Sequence, residues 1–336
     1  MKKTLIALAA LGAMAGAYAQ SSVALYGAAD TWLGSTKETV GGVGVNQTVI
    51  NTSGVNGSRF GLKGTEDLGG GLKAIFELES GFKLDTGEFR TAGALFDRHA
   101  FVGLQGGFGT VTMGRQESSF DDLHGDVNHN YDAVTFSATG AVADNGMADY
   151  TDRVSNSIKY TSPEYAGFSG SVLLGLGENK TASADATNIY SLHVKYEHGP
   201  LLVGYAYQQE KQAKDPVLLT QDKNKFNLIG ASYDFGVAKL VGSYKTAKNA
   251  TTKDKEYQFG VSVPFGAAAI SAGYAHSKSD AGDVTHTGKG YSILGTYDLS
   301  KRTRLYAGAQ NTKAFVLNAA AETKIVTYGL GIRHFF

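Results

Sequence analysis

The sequence predicts an all-β fold, a 16-stranded antiparallel transmembrane β-barrel, on three observations. The chain ends Tyr328-Gly329-Leu330-Gly331-Ile332-Arg333-His334-Phe335-Phe336. Strand alternation puts Tyr328, Leu330, Ile332, His334 and Phe336 on one mostly apolar face, and Gly329, Gly331, Arg333 and Phe335 on the other. Apolar outside and small or polar inside is what the closing strand of a membrane barrel requires. Segments of about ten residues with alternating polarity recur along the chain. Their connections are short on one side and long on the other.

Composition agrees. Gly is high at 44 and Pro low at 4, and Tyr (18) plus Phe (17) dwarf a single Trp, which suits aromatic girdles at two interfaces. There is no Cys, so an exported chain must be stabilised by its hydrogen-bond network rather than by disulfides. Met1-Lys2-Lys3, an apolar Leu5–Ala15 and Ala17-Tyr18-Ala19 form a signal-peptide pattern, cleaved after Ala19 to leave Gln20. A membrane-anchoring helix is the competing reading, but the apolar run is shorter than the roughly 20 residues a span needs. Removing 19 residues from 336 leaves 317, with 29 basic against 31 acidic residues and a formal charge of −2. That balance gives no reason to invoke nucleic acid.

In order, strands are expected near Val23–Gly34, Ser58–Thr65, Leu72–Phe82, Leu95–Leu104, Thr110–Gln116, Ser157–Thr161, Ser169–Gly177 and Ile189–Glu197. They continue near Leu201–Glu210, Phe226–Asp234, Lys239–Lys245, Tyr257–Pro264, Ala269–His276, Gly290–Asp298, Arg304–Thr312 and Lys324–Phe336. Short turns such as Gly69-Gly70-Gly71, Gly106-Gly107 and His198-Gly199-Pro200 carry glycines able to take positive φ. Ser35–Gly57, Lys211–Lys225, Lys278–Lys289 and Lys313–Thr323 read as long polar loops. A soluble β-sandwich could use the same strands, yet would not need an aromatic terminal strand or this alternation of loop lengths. Between Gln116 and Ser157 about 40 residues lack strand pattern while keeping aromatic residues and acids. Inside a wide barrel such a segment would narrow the lumen.

The run Gly57-Ser58-Arg59-Phe60-Gly61-Leu62-Lys63-Gly64-Thr65-Glu66-Asp67-Leu68-Gly69-Gly70-Gly71-Leu72, continuing to Phe82, resembles the second hairpin of Gram-negative general porins. Ser22-Val23-Ala24-Leu25-Tyr26-Gly27, Asp97-Arg98, Met113-Gly114-Arg115-Gln116 and Phe336 resemble the beta-proteobacterial branch. The resemblance spans the whole mature chain and is most specific in its first 120 residues. It implies an outer-membrane barrel at 20–336, a homotrimer passing small hydrophilic solutes and ions, and a third loop at 117–150 folded inward as a constriction. The strand ending at Phe336 is the expected contact of the outer-membrane assembly machinery.

Parity assigns the wall. Arg59, Gly61, Lys63 and Thr65 share a face opposite Phe60 and Leu62. The apolar pair must face lipid, because a cation there costs about 2–4 kcal/mol at the midplane. Arg59 and Lys63 then point into the lumen, as do Lys73, Glu77 and Glu79 on the next strand. The resemblance adds Arg98 and Arg153 as wall arginines. Arg115 shares the face of Val111 and Met113, so it enters the pore only through a bulge. The expectation is a ladder of Arg59, Arg98 and Arg153 opposed by Glu79 and by loop acids Asp121, Asp122, Asp126 and Asp132, giving modest anion preference. The plain alternative for each arginine is an ion pair that only pins the loop.

No cofactor or metal is called for. His124 and His129 do not match a recognised ligand spacing, and Gly42-Val43-Gly44 is not followed by a helix. A barrel enzyme would need a Ser/His/acid set, for which Ser80, Ser155 and His193 are the available residues. A substrate-specific channel, or an adhesin working through long loops such as Ser35–Gly57, are the remaining alternatives.

Overall fold

The computed structural model describes residues 22–128, 135–140, 142, 149–213, 222–314 and 321–336. The expected signal peptide 1–19 with Gln20, and also His129 and Asp132, lie outside the described residues.

Antiparallel pairing runs around the whole chain. The first strands are β1 (Ser22–Val40), β2 (Val43–Thr52), β3 (Arg59–Gly69), β4 (Leu72–Gly81), β5 (His99–Gly106) and β6 (Gly109–Glu117). Helix α1 (Ser119–Val127) separates them from β7 (Arg153–Thr161), β8 (Phe168–Leu176), β9 (Asn188–His198), β10 (Leu201–Lys211) and β11 (Lys223–Asp234). Then come β12 (Lys239–Lys248), β13 (Thr252–Phe265), β14 (Ala268–Ala281), β15 (Val284–Asp298), β16 (Thr303–Ala314) and β17 (Thr323–Phe335). The 17 strands fill 16 wall positions, because β2 and β3 lie end to end beside β1, pairing with Thr31–Val40 and Ser22–Ala28 respectively. β1 also pairs with β17 and closes the barrel. At the seam Phe336 and Gly27 exchange backbone hydrogen bonds of 3.1 Å.

Two expected loops are strand instead. Ser35–Gly57 continues β1 to Val40, turns at Gly41-Gly42 and returns as β2. Lys278–Lys289 is the end of one hairpin, turning at Gly282 with φ 59°. Neither carries the apolar outward face of a spanning strand: in β2 the face that holds Ile50 is otherwise Gly44, Asn46, Thr48 and Thr52, while Val43, Val45 and Val49 lie on the other face. Conversely, Leu95–Arg98 precedes β5 rather than belonging to it.

Sidedness follows parity. Val23, Leu25, Leu33, Leu62, Val102, Ile229, Ile293 and Leu330 are exposed on the outer face, as a lipid-facing band requires. On the last strand Tyr328, Leu330, Ile332 and Phe336 are exposed while Arg333 is buried inside.

α1 lies within the barrel. Ser118 caps it by accepting the Asp121 N–H at 3.1 Å. Phe120, Leu123 and Val127, all fully buried, pack on the inward Ala206, Phe226, Leu228 and Ala247 of β10–β12. Wall glycines make the room. A Cβ on Gly204 would lie 2.4 Å from Leu123, and one on Gly230 would lie 2.5 Å from Val127. Further along the loop, Phe136 seats over Gly308 and packs edge-on against Trp32 with centroids 5.4 Å apart.

Candidate pore constriction

The interior of β3–β7 carries a continuous row of charge. Arg59 Nε lies 3.3 Å from Glu79 Oε2, and Arg98 Nε binds the other oxygen, Oε1. Glu79 is buried while Arg59 keeps 22% of its side chain exposed. Arg59 also donates to the Gly57 carbonyl at 3.0 Å. On the neighbouring rungs Glu77 accepts from Tyr26 Oη at 2.7 Å and pairs with His99 Nδ1 at 2.6 Å. His99 Nε2 reaches Glu117 at 3.6 Å, and Glu117 holds Arg153 at 2.8 Å. Asp152 takes the other arm of Arg153 at 2.5 Å.

Glu77, Glu79 and His99 bring ligand atoms within 4.8 Å of one another, a grouping with metal-like spacing. Arg59 and Arg98 already supply the positive charge there, so these carboxylates are partnered within the protein.

The structure corrects the expected opposition of charge. Glu79 does not face the arginines across the lumen; it stands among them, one strand from each. The loop acids are likewise turned to the wall. Asp122 binds Lys159 at 2.7 Å, Asp126 binds Lys195 at 2.7 Å, and Asp121 is buried, accepting the Tyr150 hydroxyl at 2.5 Å. Asp149 adds a fourth tie, to buried Lys245 at 2.8 Å, which also meets Glu256 at 3.0 Å. The reason is electrostatic. A helix laid against a wall of inward lysines is held by turning its acids toward them.

Lys63 does face inward, its Nζ 4.8 Å from the Tyr26 ring centroid. Lys73 shares that parity near the short-turn end, opposite Asp67. Arg115 is a correction. The bulge is in β7, at Ser155–Asn156, where Asn156 has φ 51°, so Arg115 keeps the outward parity of Met113. Its guanidinium binds the Asp97 carbonyl at 2.7 Å, the Arg153 carbonyl at 3.3 Å and Ser155 Oγ at 3.0 Å.

Sequence reasoning did not single out Lys159, Lys195, Lys245, His99 or Glu117. Inward parity opposite an acid-rich loop was the available signal for the lysines. It also missed Asp30, whose carboxyl receives the N–H groups of Gly54, Val55 and Asn56 at 2.7, 3.1 and 2.9 Å. Asp30 thereby folds Ser53–Ser58 onto the inner wall between β2 and β3.

Two buried or neutralised groups complete the picture. Within α1, burial and the nearby Lys245 push the His124 imidazole down to about 3. It contacts Tyr150 Oη at 2.6 Å. Ahead of β5, Asp97 is partly desolvated, yet bonds from Gly81 N–H, Arg90 and Thr91 hold its carboxyl below the usual range.

The serines and histidine do not converge into a hydrolase site. Ser155 serves Arg115, while His193 Nδ1 serves the Ser119 carbonyl at 2.9 Å and Ser171 at 3.1 Å. Asp122 approaches that same nitrogen at 3.7 Å, so acid and serine compete for one atom instead of flanking the ring.

Comparison with known proteins matches this architecture. A family model described as Gram-negative porin matches residues 7–314. Outer membrane porin protein 32 of Delftia acidovorans is 37% identical over 96% of this chain and 92% of its own. The solved anion-selective porin from Comamonas acidovorans has TM-score 0.80 and 30% identity, covering 94% of this chain and 100% of that one. OmpT of Vibrio cholerae, solved in a trimer form, shares the fold with TM-score 0.69 at 18% identity over 94% and 99% of the two chains. A closed barrel with a charged interior and a loop folded into it is a channel architecture, and the chain belongs to the Gram-negative porin family, forming a channel in the outer membrane.

Proposed function

We propose that this porin prefers small anions and that Arg59 and Arg98 set the preference. One observation carries the reading: two guanidinium groups share the single carboxylate of Glu79, a local two-to-one ratio of positive to negative charge on the inner wall. The 22% exposure of Arg59 keeps part of that charge in contact with the pore water. Arg153, paired with both Glu117 and Asp152, serves as an anchor more than as a selector. The anion selectivity named for the Comamonas acidovorans relative supports the same sign.

The test is the reversal potential of the reconstituted protein in a salt gradient. The wild type should give an anion-signed value, and Arg59→Gln with Arg98→Gln should move it toward cations. An unmoved potential in that double variant would remove the arginines from selectivity. We further propose a homotrimer, as in the trimer form of the Vibrio cholerae protein, with the first and last strands in contact. Conductance steps in groups of three test it; single independent steps would refute it.

A further inference from the structure

His99, at the start of β5, meets a carboxylate at each of its ring nitrogens. Nδ1 lies 2.6 Å from Glu77 Oε1 and 4.0 Å from Glu79 Oε1, both on β4. Nε2 lies 3.6 Å from Glu117 Oε1 on β6. A neutral imidazole has one N–H and one lone pair, so it can serve only one of these sides. Its lone pair would then point at a carboxylate oxygen, negative charge against negative. The doubly protonated ring serves both sides, and the acids at its two ends stabilise it.

The neighbouring cations leave this role to the ring. Lys63 of β3 stands opposite Glu77 in register, but its Nζ lies over the Tyr26 ring of β1. Tyr26 Oη donates at 2.7 Å to the same Glu77 oxygen that His99 contacts. Arg98, beside His99 in the chain, is paired with Glu79, as is Arg59. Arg153 of β7 shares Glu117 Oε1 with the ring and holds Asp152 with its other arm.

A balance of charge follows. Glu77, Glu79, Glu117 and Asp152 are matched one for one by Lys63, Arg59, Arg98 and Arg153. With a neutral His99 this row of the inner wall carries no net charge; with an imidazolium it is positive. His99 keeps 16% of its side chain exposed and Glu117 keeps 31%, so the row is open to water rather than sealed. A charge so placed acts on ions passing within a Debye length, about 8–10 Å at ordinary salt.

We infer that His99 is a cationic, selectivity-determining member of the constriction, and that its charge shifts the pore toward anions. The inference rests on the anion preference proposed above: Arg59 and Arg98 place positive charge on the wall, and His99 keeps the row's acids from cancelling it. A ring that only pinned Glu117, and through it Arg153, would need the same contacts but not the charge. That difference is what the experiment reads.

The full refolded protein is compared with His99→Gln and His99→Arg by reversal potential in a salt gradient at neutral pH. Nitrogen-15 NMR of histidine-labelled wild type reads the ring itself, its signals being those absent from the Arg variant. Both His99 nitrogens should be protonated. The anion-to-cation permeability ratio should fall roughly two- to threefold in His99→Gln, as removing one charge several Å from an ion's path in water would make it. His99→Arg should stay near the wild type. A lone-pair nitrogen in the ring, an unmoved potential in His99→Gln, or an equal fall in His99→Arg would overturn the inference, the last leaving the ring as a pin. A cation-signed wild type would instead overturn the preference proposed for Arg59 and Arg98, while the ring's protonation and the direction of the Gln shift would still decide the role of His99.

Discussion

Tyr306 of β16 reaches across β17 and donates its hydroxyl to Asp30 of β1 at 2.6 Å. The intervening strand permits this only because it is glycine there; a Cβ on Gly331 would lie 2.3 Å from the Tyr306 ring. One carboxyl thus ties the barrel seam to the inward Ser53–Ser58 segment, and that segment's Gly57 carbonyl holds Arg59.

Asp30→Ala should therefore act on both stability and conduction. Tyr306 and three backbone N–H groups lose their acceptor, each at about 1–3 kcal/mol if left unpaired, so a total loss of about 4 kcal/mol or more is expected. Thermal unfolding in detergent reads the stability. A shifted reversal potential reads the displaced Arg59, and Tyr306→Phe should show the smaller loss of one bond.

Glu79→Gln should strengthen anion preference, opposite to the arginine variants. It removes the charge that Arg59 and Arg98 share while keeping one of the two acceptor oxygens they use. The reversal potential moves further toward anions if the excess cation is what the pore water senses. A shift toward cations would contradict the assignment.

The inward loop should loosen when its wall lysines are neutralised. Lys159 is buried, but its partner Asp122 and both members of the Lys195–Asp126 pair are part-exposed, so each pair is worth about 1 kcal/mol. Lys159→Gln with Lys195→Gln should leave the barrel's melting temperature nearly unchanged while raising open-channel noise. Lys245→Gln should cost more, because Asp149 and Glu256 lose a common buried partner.

Acid should release the same loop through His124. Its folded value of about 3 lies below the ordinary value near 6.5, so the folded loop holds the neutral ring. The stabilisation is complete above about pH 6.5 and is lost as pH falls from there toward 3, by up to about 1.4 kcal/mol per pH unit. Hydrogen exchange of α1 should accelerate over that window in the wild type, and His124→Gln should flatten the response. Identical pH profiles in the two proteins would show that other groups release the loop.

The barrel was legible in the sequence because lipid imposes a sharp rule at alternate positions. The outward face of Tyr328–Phe336 and the inward placement of Arg59, Lys63 and Glu79 all followed from it. Where the outward face is mostly polar the rule lapses, which is why Val43–Thr52 reads as loop yet pairs fully with β1. Parity also says which side a residue faces but not what it meets. Asp121, Asp122 and Asp126 were placed on the right segment, yet their direction depended on Lys159, Lys195 and Tyr150, which are far away in the chain. Asp30 carried no signal at all, since its partners are backbone N–H groups some 24–26 residues ahead.

Gly204, Gly230, Gly290 and Gly308 receive Leu123, Val127, Ala138 and Phe136. The wall is in effect a mould of the loop, cut by omission. Each methyl restored to the mould would push the plug toward the axis, so the bore of this channel is adjustable in steps of one carbon from glycines that lie behind the loop.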